Sequence, residues 1–75
     1  MQTLDQVPVG LPVKVVDIQA GWGLRRRLSQ MGIHPGDKLI VTRSGALGGP
    51  VIVSCHGVEI ALGRGLARKI IVTEP

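Results

Sequence analysis

Four side chains of this 75-residue chain carry reactive or metal-binding chemistry: the thiol of Cys55, the imidazoles of His56 and His34, and the carboxylate of Asp37. A thiol beside an imidazole can supply a nucleophile and its base. The same four groups are ligand types for zinc or nickel. Spacing argues against both. Neighbours on a strand point to opposite faces, so Cys55 and His56 are expected to be poor partners, with Cys55 a small buried hydrophobe. Stable metal binding needs three or four ligands in fixed geometry, and no local spacing here provides it. His34 and His56 are expected to be exposed turn residues. They are the two positions open to adventitious metal, including an ion shared across a contact between copies of the chain.

The other chemistry is guanidinium. In "AGWGLRRRLSQMGIHPGDKL" (Ala20 to Leu39) three consecutive arginines, Arg25, Arg26 and Arg27, interrupt a pattern that otherwise reads as an apolar helical stripe. Leu24, Leu28 and Met31 recur at helical spacing; at about 100° per residue, Arg25 and Arg26 fall on the opposite half and Arg27 on the flank. A solvated helix face is the plain reading of such a run. Arginine chosen over lysine three times, however, favours bidentate contact with carboxylate or phosphate groups. A helix that begins as early as Trp22 sets the indole on the Arg26 side, where ring and guanidinium can stack, and an exposed Trp beside Arg has the composition of an interface hot spot. Trp22, Arg25, Arg26 and Arg27 are therefore the candidate partner-binding residues.

Composition narrows what these groups can do. Nine Lys and Arg against five Asp and Glu leave a formal charge of +4, which suits an acidic partner, nucleic acid or an anionic surface. With one Trp and no Phe or Tyr, the stacking platforms used to bind single-stranded nucleic acid are missing, and no second helix precedes the arginine helix to make a helix-turn-helix. A single cysteine excludes an internal disulfide and a zinc site on paired cysteines. The carboxylates are scattered, and no glycine loop ends in Gly-Lys-Ser/Thr, so an enzyme is not expected. The opening "MQTLDQVPVGLP" lacks a basic segment followed by an apolar run, and apolar runs fall far short of the ~20 residues that span a bilayer. A cytoplasmic protein is expected.

The elements that must position these side chains form one domain, residues 1–75. Val, Ile and Leu make up about a third of the chain, which favours strands. A helical turn capped by Thr3 is predicted over Thr3–Val7. Strands are predicted over Pro12–Ile18, Lys38–Arg43, Val51–Cys55, Val58–Leu62 and Arg68–Thr73. In the first of these, Val13, Val15 and Asp17 are expected on one face, with Lys14, Val16 and Ile18 on the other. A helix of about nine residues follows that first strand. Gly32 suits its C-cap, Ile33 folds back on its last turn, and Pro35-Gly36 make a β-turn. Gly49 and Pro50 close a glycine-dense loop over Ser44–Pro50, His56-Gly57 make a two-residue hairpin, and "GRGLA" a single helical turn. The fold class is all-β with one inserted helix: a small SH3-like five-stranded barrel. An OB-fold would place its helix later in the strand order.

"LRRRLSQMGIHPG", then "GGPVIV", then "IALGRGLARKIIV" resemble the ferrous iron transport protein A family (FeoA), over nearly the whole chain. The resemblance implies an SH3-like barrel and a cytoplasmic accessory of the bacterial ferrous iron system. Its partner would be the cytoplasmic part of a large permease (FeoB) that carries a GTP-binding domain, with recruitment to the inner face of the membrane. No cofactor and no small-molecule substrate are implied, and self-association is left open. One departure is the turn "GRGLARK", less charged than is usual in the family; Leu66 there either packs inward or makes an apolar surface spot. Related barrels also end metal-dependent repressors, after DNA-binding and metal-binding helices that this sequence does not show. The leading expectation is a non-enzymatic interaction module that binds the permease and promotes uptake. A metal-responsive regulatory domain and a small basic nucleic-acid-binding barrel are the alternatives.

Overall fold

The computed structural model of the chain describes residues 1–75, the side chain of Ala46 excepted. Strands β1 (Gln2–Thr3), β2 (Pro12–Ile18), β3 (Lys38–Ser44), β4 (Val51–Cys55), β5 (Val58–Leu62) and β6 (Ile70–Thr73) form one antiparallel sheet, ordered β1-β6-β2-β3-β4-β5. Helix α1 (Trp22–Gln30) joins β2 to β3, and the one-turn α2 (Arg64–Ala67) precedes β6. The architecture is SH3-like, as predicted, with the short β1 as a sixth strand. β1 consists of two residues that pair with Ile71 and Val72 of β6, a non-local match that no local pattern encodes. The predicted first turn forms over Leu4–Gln6 as a 3₁₀ turn, but Thr3 does not cap it; its hydroxyl donates to the Asp5 carboxylate instead. The last strand starts at Ile70 rather than Arg68, because the helical turn runs on through Arg68 and closes with Lys69 N–H on the Leu66 carbonyl at 3.0 Å.

Alternation holds along most strands: Leu39 and Val41 of β3, Val51, Val53 and Cys55 of β4, and Ile70 and Val72 of β6 point into one aliphatic core. β2 departs from the expected pattern. A bulge at Val16, between Val15 and Asp17, shifts its register against β6, so Asp17 turns outward and Ile18 is buried. The energetics favour the inversion. An unpaired carboxylate in the core costs several kcal/mol, whereas burying an isoleucine side chain stabilises by roughly 2 kcal/mol.

α1 has neither a side-chain N-cap nor an acidic residue in its first turn, so its stability comes from packing and from its C-terminus. Leu28 is fully buried, and Ile33 packs into the core beyond the helix end. Gly32 at φ 92° makes that return: Ile33 N–H reaches the Leu28 carbonyl and Gly32 N–H the Ser29 carbonyl, both at 3.0 Å, a full Schellman closure. The chain then turns through His34-Pro35-Gly36-Asp37, closed by Asp37 N–H to the His34 carbonyl at 3.0 Å. Two bonds of 2.8 Å, Gly36 N–H to the Val15 carbonyl and Val15 N–H to the Asp37 carbonyl, fasten this turn to β2. Asp37 is thus held in place by a core strand.

Candidate functional site

The turn at Asp37 and the β4–β5 hairpin meet. The Asp37 carboxylate accepts the His34 backbone N–H at 2.8 Å and lies 3.2 Å from His34 Nδ1 through the same oxygen, Oδ2. Its other oxygen, Oδ1, lies 3.1 Å from His56 Nε2. His34 Nε2 is in turn 3.1 Å from the Ser29 hydroxyl near the end of α1. Partial burial alone would raise the Asp37 pKa, but the hydrogen bonds from the His34 backbone, His56 and the His34 ring, with the His56 charge, outweigh it and hold the carboxyl below its ordinary value.

Two expectations are corrected here. Metal-type ligands have no local spacing, yet the fold gathers Asp37, Cys55 and His56 so that their ligand atoms lie within 4.8 Å of one another. Cys55 and His56 do not diverge as strand neighbours would. His56 has already left the strand: it is the first turn residue, at φ 54°, followed by Gly57 at φ 78°, and the left-handed pair redirects its side chain. His34 and His56 are solvent-exposed, as expected, and both engage Asp37. Cys55 is buried, as its small apolar character suggested, and its thiol donates weakly to the Gly32 carbonyl at 3.7 Å. Burial, and then the negative charge of Asp37, push the Cys55 pKa up, so the sulfur stays protonated and is not poised as a nucleophile.

On α1 the arginines divide their roles. Arg25 turns back on its own chain: Nη1 donates to the Ile18 carbonyl at 2.6 Å and lies 3.4 Å from Asp17 Oδ1, tying the helix to the end of β2. The bulge that turns Asp17 outward makes that contact available. Arg26 stacks on Trp22, its guanidinium carbon 5.2 Å from the ring centroid, as the helical spacing predicted. Trp22 is 75% exposed. Arg27 is exposed, and among the described residues neither Arg26 nor Arg27 has an ion-pair partner.

Arg64 was not singled out by its sequence context, because its partners are distant in the chain. Its Nε donates to the Gly49 carbonyl at 3.1 Å, its Nη2 to the Gly45 carbonyl at 2.9 Å and the Ser44 hydroxyl at 3.0 Å. One guanidinium therefore closes the glycine loop against α2. Gly45 makes the loop tight: a Cβ there would lie 2.7 Å from the Gly49 carbonyl carbon. Gly36, at φ 95°, has the left-handed backbone its predicted turn requires, while Gly49 serves through its carbonyl and Pro50 through its own, which accepts Gly45 N–H at 2.9 Å. Leu66 is half-buried against the core, which settles its direction.

The model of the FeoA domain matches residues 2–74. The chain belongs to the FeoA family. It is similar to a protein of Methanocaldococcus jannaschii named as a candidate Fe(2+) transport protein A, 51% identical over 65 residues that cover 87% of this chain and 77% of that one. It also resembles the crystal structure of an iron uptake regulatory protein (FeoA), with a TM-score of 0.86, 36% identity, and coverage of 96% and 93% of the two chains. A manganese-dependent transcriptional repressor superposes with a TM-score of 0.90 at 23% identity, the match covering 99% of this chain and 41% of the repressor; this likeness concerns the fold alone. Among the described residues no helix is long and apolar enough to cross a membrane.

Proposed function

We propose that this FeoA-family chain is a non-enzymatic interaction module that docks on the cytoplasmic part of the ferrous iron permease (FeoB) and promotes uptake from the inner face of the membrane. Family membership supports the pathway. The contact surface is read from α1, and the observation that carries it is the exposed Trp22–Arg26 stack with Arg27 beside it. A stacked guanidinium loses less rotamer freedom on docking than a free one, and its outer edge still offers paired N–H donors to a carboxylate or phosphate. Arg25 contributes indirectly, by fixing the helix to β2. The protonated state of Cys55 is in keeping with a module that turns over no substrate.

Capture of the purified chain by the permease's cytoplasmic domains tests this reading. Arg26→Glu with Arg27→Glu should abolish capture while leaving the thermal unfolding midpoint nearly unchanged, because neither side chain packs inward. Trp22→Ala should weaken capture about tenfold or more, the loss expected of a hot-spot aromatic. Capture of the double variant at the level of the unaltered chain would show that α1 is not the docking face.

A further inference from the structure

We propose that Asp37, Cys55 and His56 form a binding site for one divalent first-row transition-metal ion, with His34 as a positioning residue for Asp37. Two separately anchored segments, the Asp37 turn and the β4–β5 hairpin, converge there. The Asp37 turn is fastened to β2 by its two 2.8 Å backbone bonds, Cys55 ends β4, and His56 is aimed by the left-handed hairpin turn. One carboxylate oxygen, Oδ2, is occupied by the backbone N–H and ring of His34, which leaves Oδ1 facing His56. A tetrahedral ion with bonds of about 2.0–2.3 Å holds its ligand atoms about 3.5 Å apart. The three ligand atoms already lie within 4.8 Å of one another, so side-chain adjustment of about 1 Å brings them to that spacing.

One sulfur, one nitrogen and one oxygen suit zinc, cobalt or ferrous ions, and not calcium or magnesium, which take oxygen ligands alone. His56 is 68% exposed, so water has access to the site from its side. Loading releases the Cys55 S–H proton to water and forms a metal–thiolate bond. It also ends the thiol's contact with the carbonyl of Gly32, the residue that closes α1. The site does not depend on the permease-docking reading.

Cobalt(II) titrated alone into the full chain under anaerobic conditions tests the site, because cobalt–thiolate bonding adds a charge-transfer band in the near ultraviolet. One cobalt per chain with that band is expected. Cys55→Ala should remove the band. His56→Asn should weaken binding at least tenfold while the hairpin persists, since asparagine accepts the left-handed turn conformation. His34→Ala should shift the titration midpoint about tenfold yet restore the same band at saturation, the behaviour of a residue that orients a ligand. No binding, binding without the band, half an ion per chain, or a His56→Asn titration identical to that of the unaltered chain would each overturn the proposal.

Discussion

Asp37 and Arg64 each tie a turn or loop to a segment distant in the chain, and each can be tested alone. The Asp37 pKa is lowered by folding from its ordinary 3.8, so its ionised form contributes stability that is fully present above that value and lost as pH falls through the lower folded value. Urea unfolding across acid pH should therefore show the stability gap between the unaltered chain and Asp37→Asn narrowing as pH falls below about 4. A gap that persists undiminished at the acid end would mean the carboxylate's charge is not what stabilises the turn. Arg64 serves backbone carbonyls through a planar fork of donors, which lysine cannot reproduce. Arg64→Ala should lower stability by about 2 kcal/mol, and Arg64→Lys should recover less than half of that in the same measurement.

At the scale of elements, glycines that look alike in the sequence act through different physics. Gly32 needs its left-handed φ of 92°, and a Cβ there would meet nothing within 4 Å, so Gly32→Ala costs only the backbone strain, about 1 kcal/mol. A Cβ on Gly45 would strike the Gly49 backbone at 2.7 Å, and backbone cannot give way as a side chain can. Gly45→Ala should cost on the order of 2–3 kcal/mol and loosen the loop that Arg64 closes. Denaturant midpoints of the two variants, measured together, decide the order; equal midpoints would remove the close approach as an explanation. The β2 bulge acts at the same scale, since one extra residue both buries Ile18 and turns Asp17 toward Arg25.

At the scale of the molecule, the formal charge of +4 is spread over several elements, and α1 adds to it two outward guanidinium groups, Arg26 and Arg27, while Arg25 is engaged internally. Complementary charge across an interface speeds encounter whether or not the contact is later desolvated. For the proposed docking on the permease's cytoplasmic domains, raising ionic strength should therefore slow association much more than it hastens dissociation, as surface plasmon resonance can measure. Dissociation that carries the larger salt effect would point to a buried ion pair instead.

The sequence by itself determined whatever depends on neighbours along the chain. The helix and its Arg26–Trp22 stack, the Schellman glycine, the Pro-Gly turn, the His-Gly hairpin and the alternation of β3, β4 and β6 follow from helical period, strand period and turn preferences acting over a few residues. The family was legible too, from the order of the blocks "LRRRLSQMGIHPG", "GGPVIV" and "IALGRGLARKIIV". Only the tertiary structure decided the β2 bulge, the pairing of β1, the Arg64 clamp and the meeting of Asp37, Cys55 and His56. Each of these joins residues whose proximity is set by how the sheet closes over the core, and one shifted residue in a strand is enough to exchange which side chains face inward.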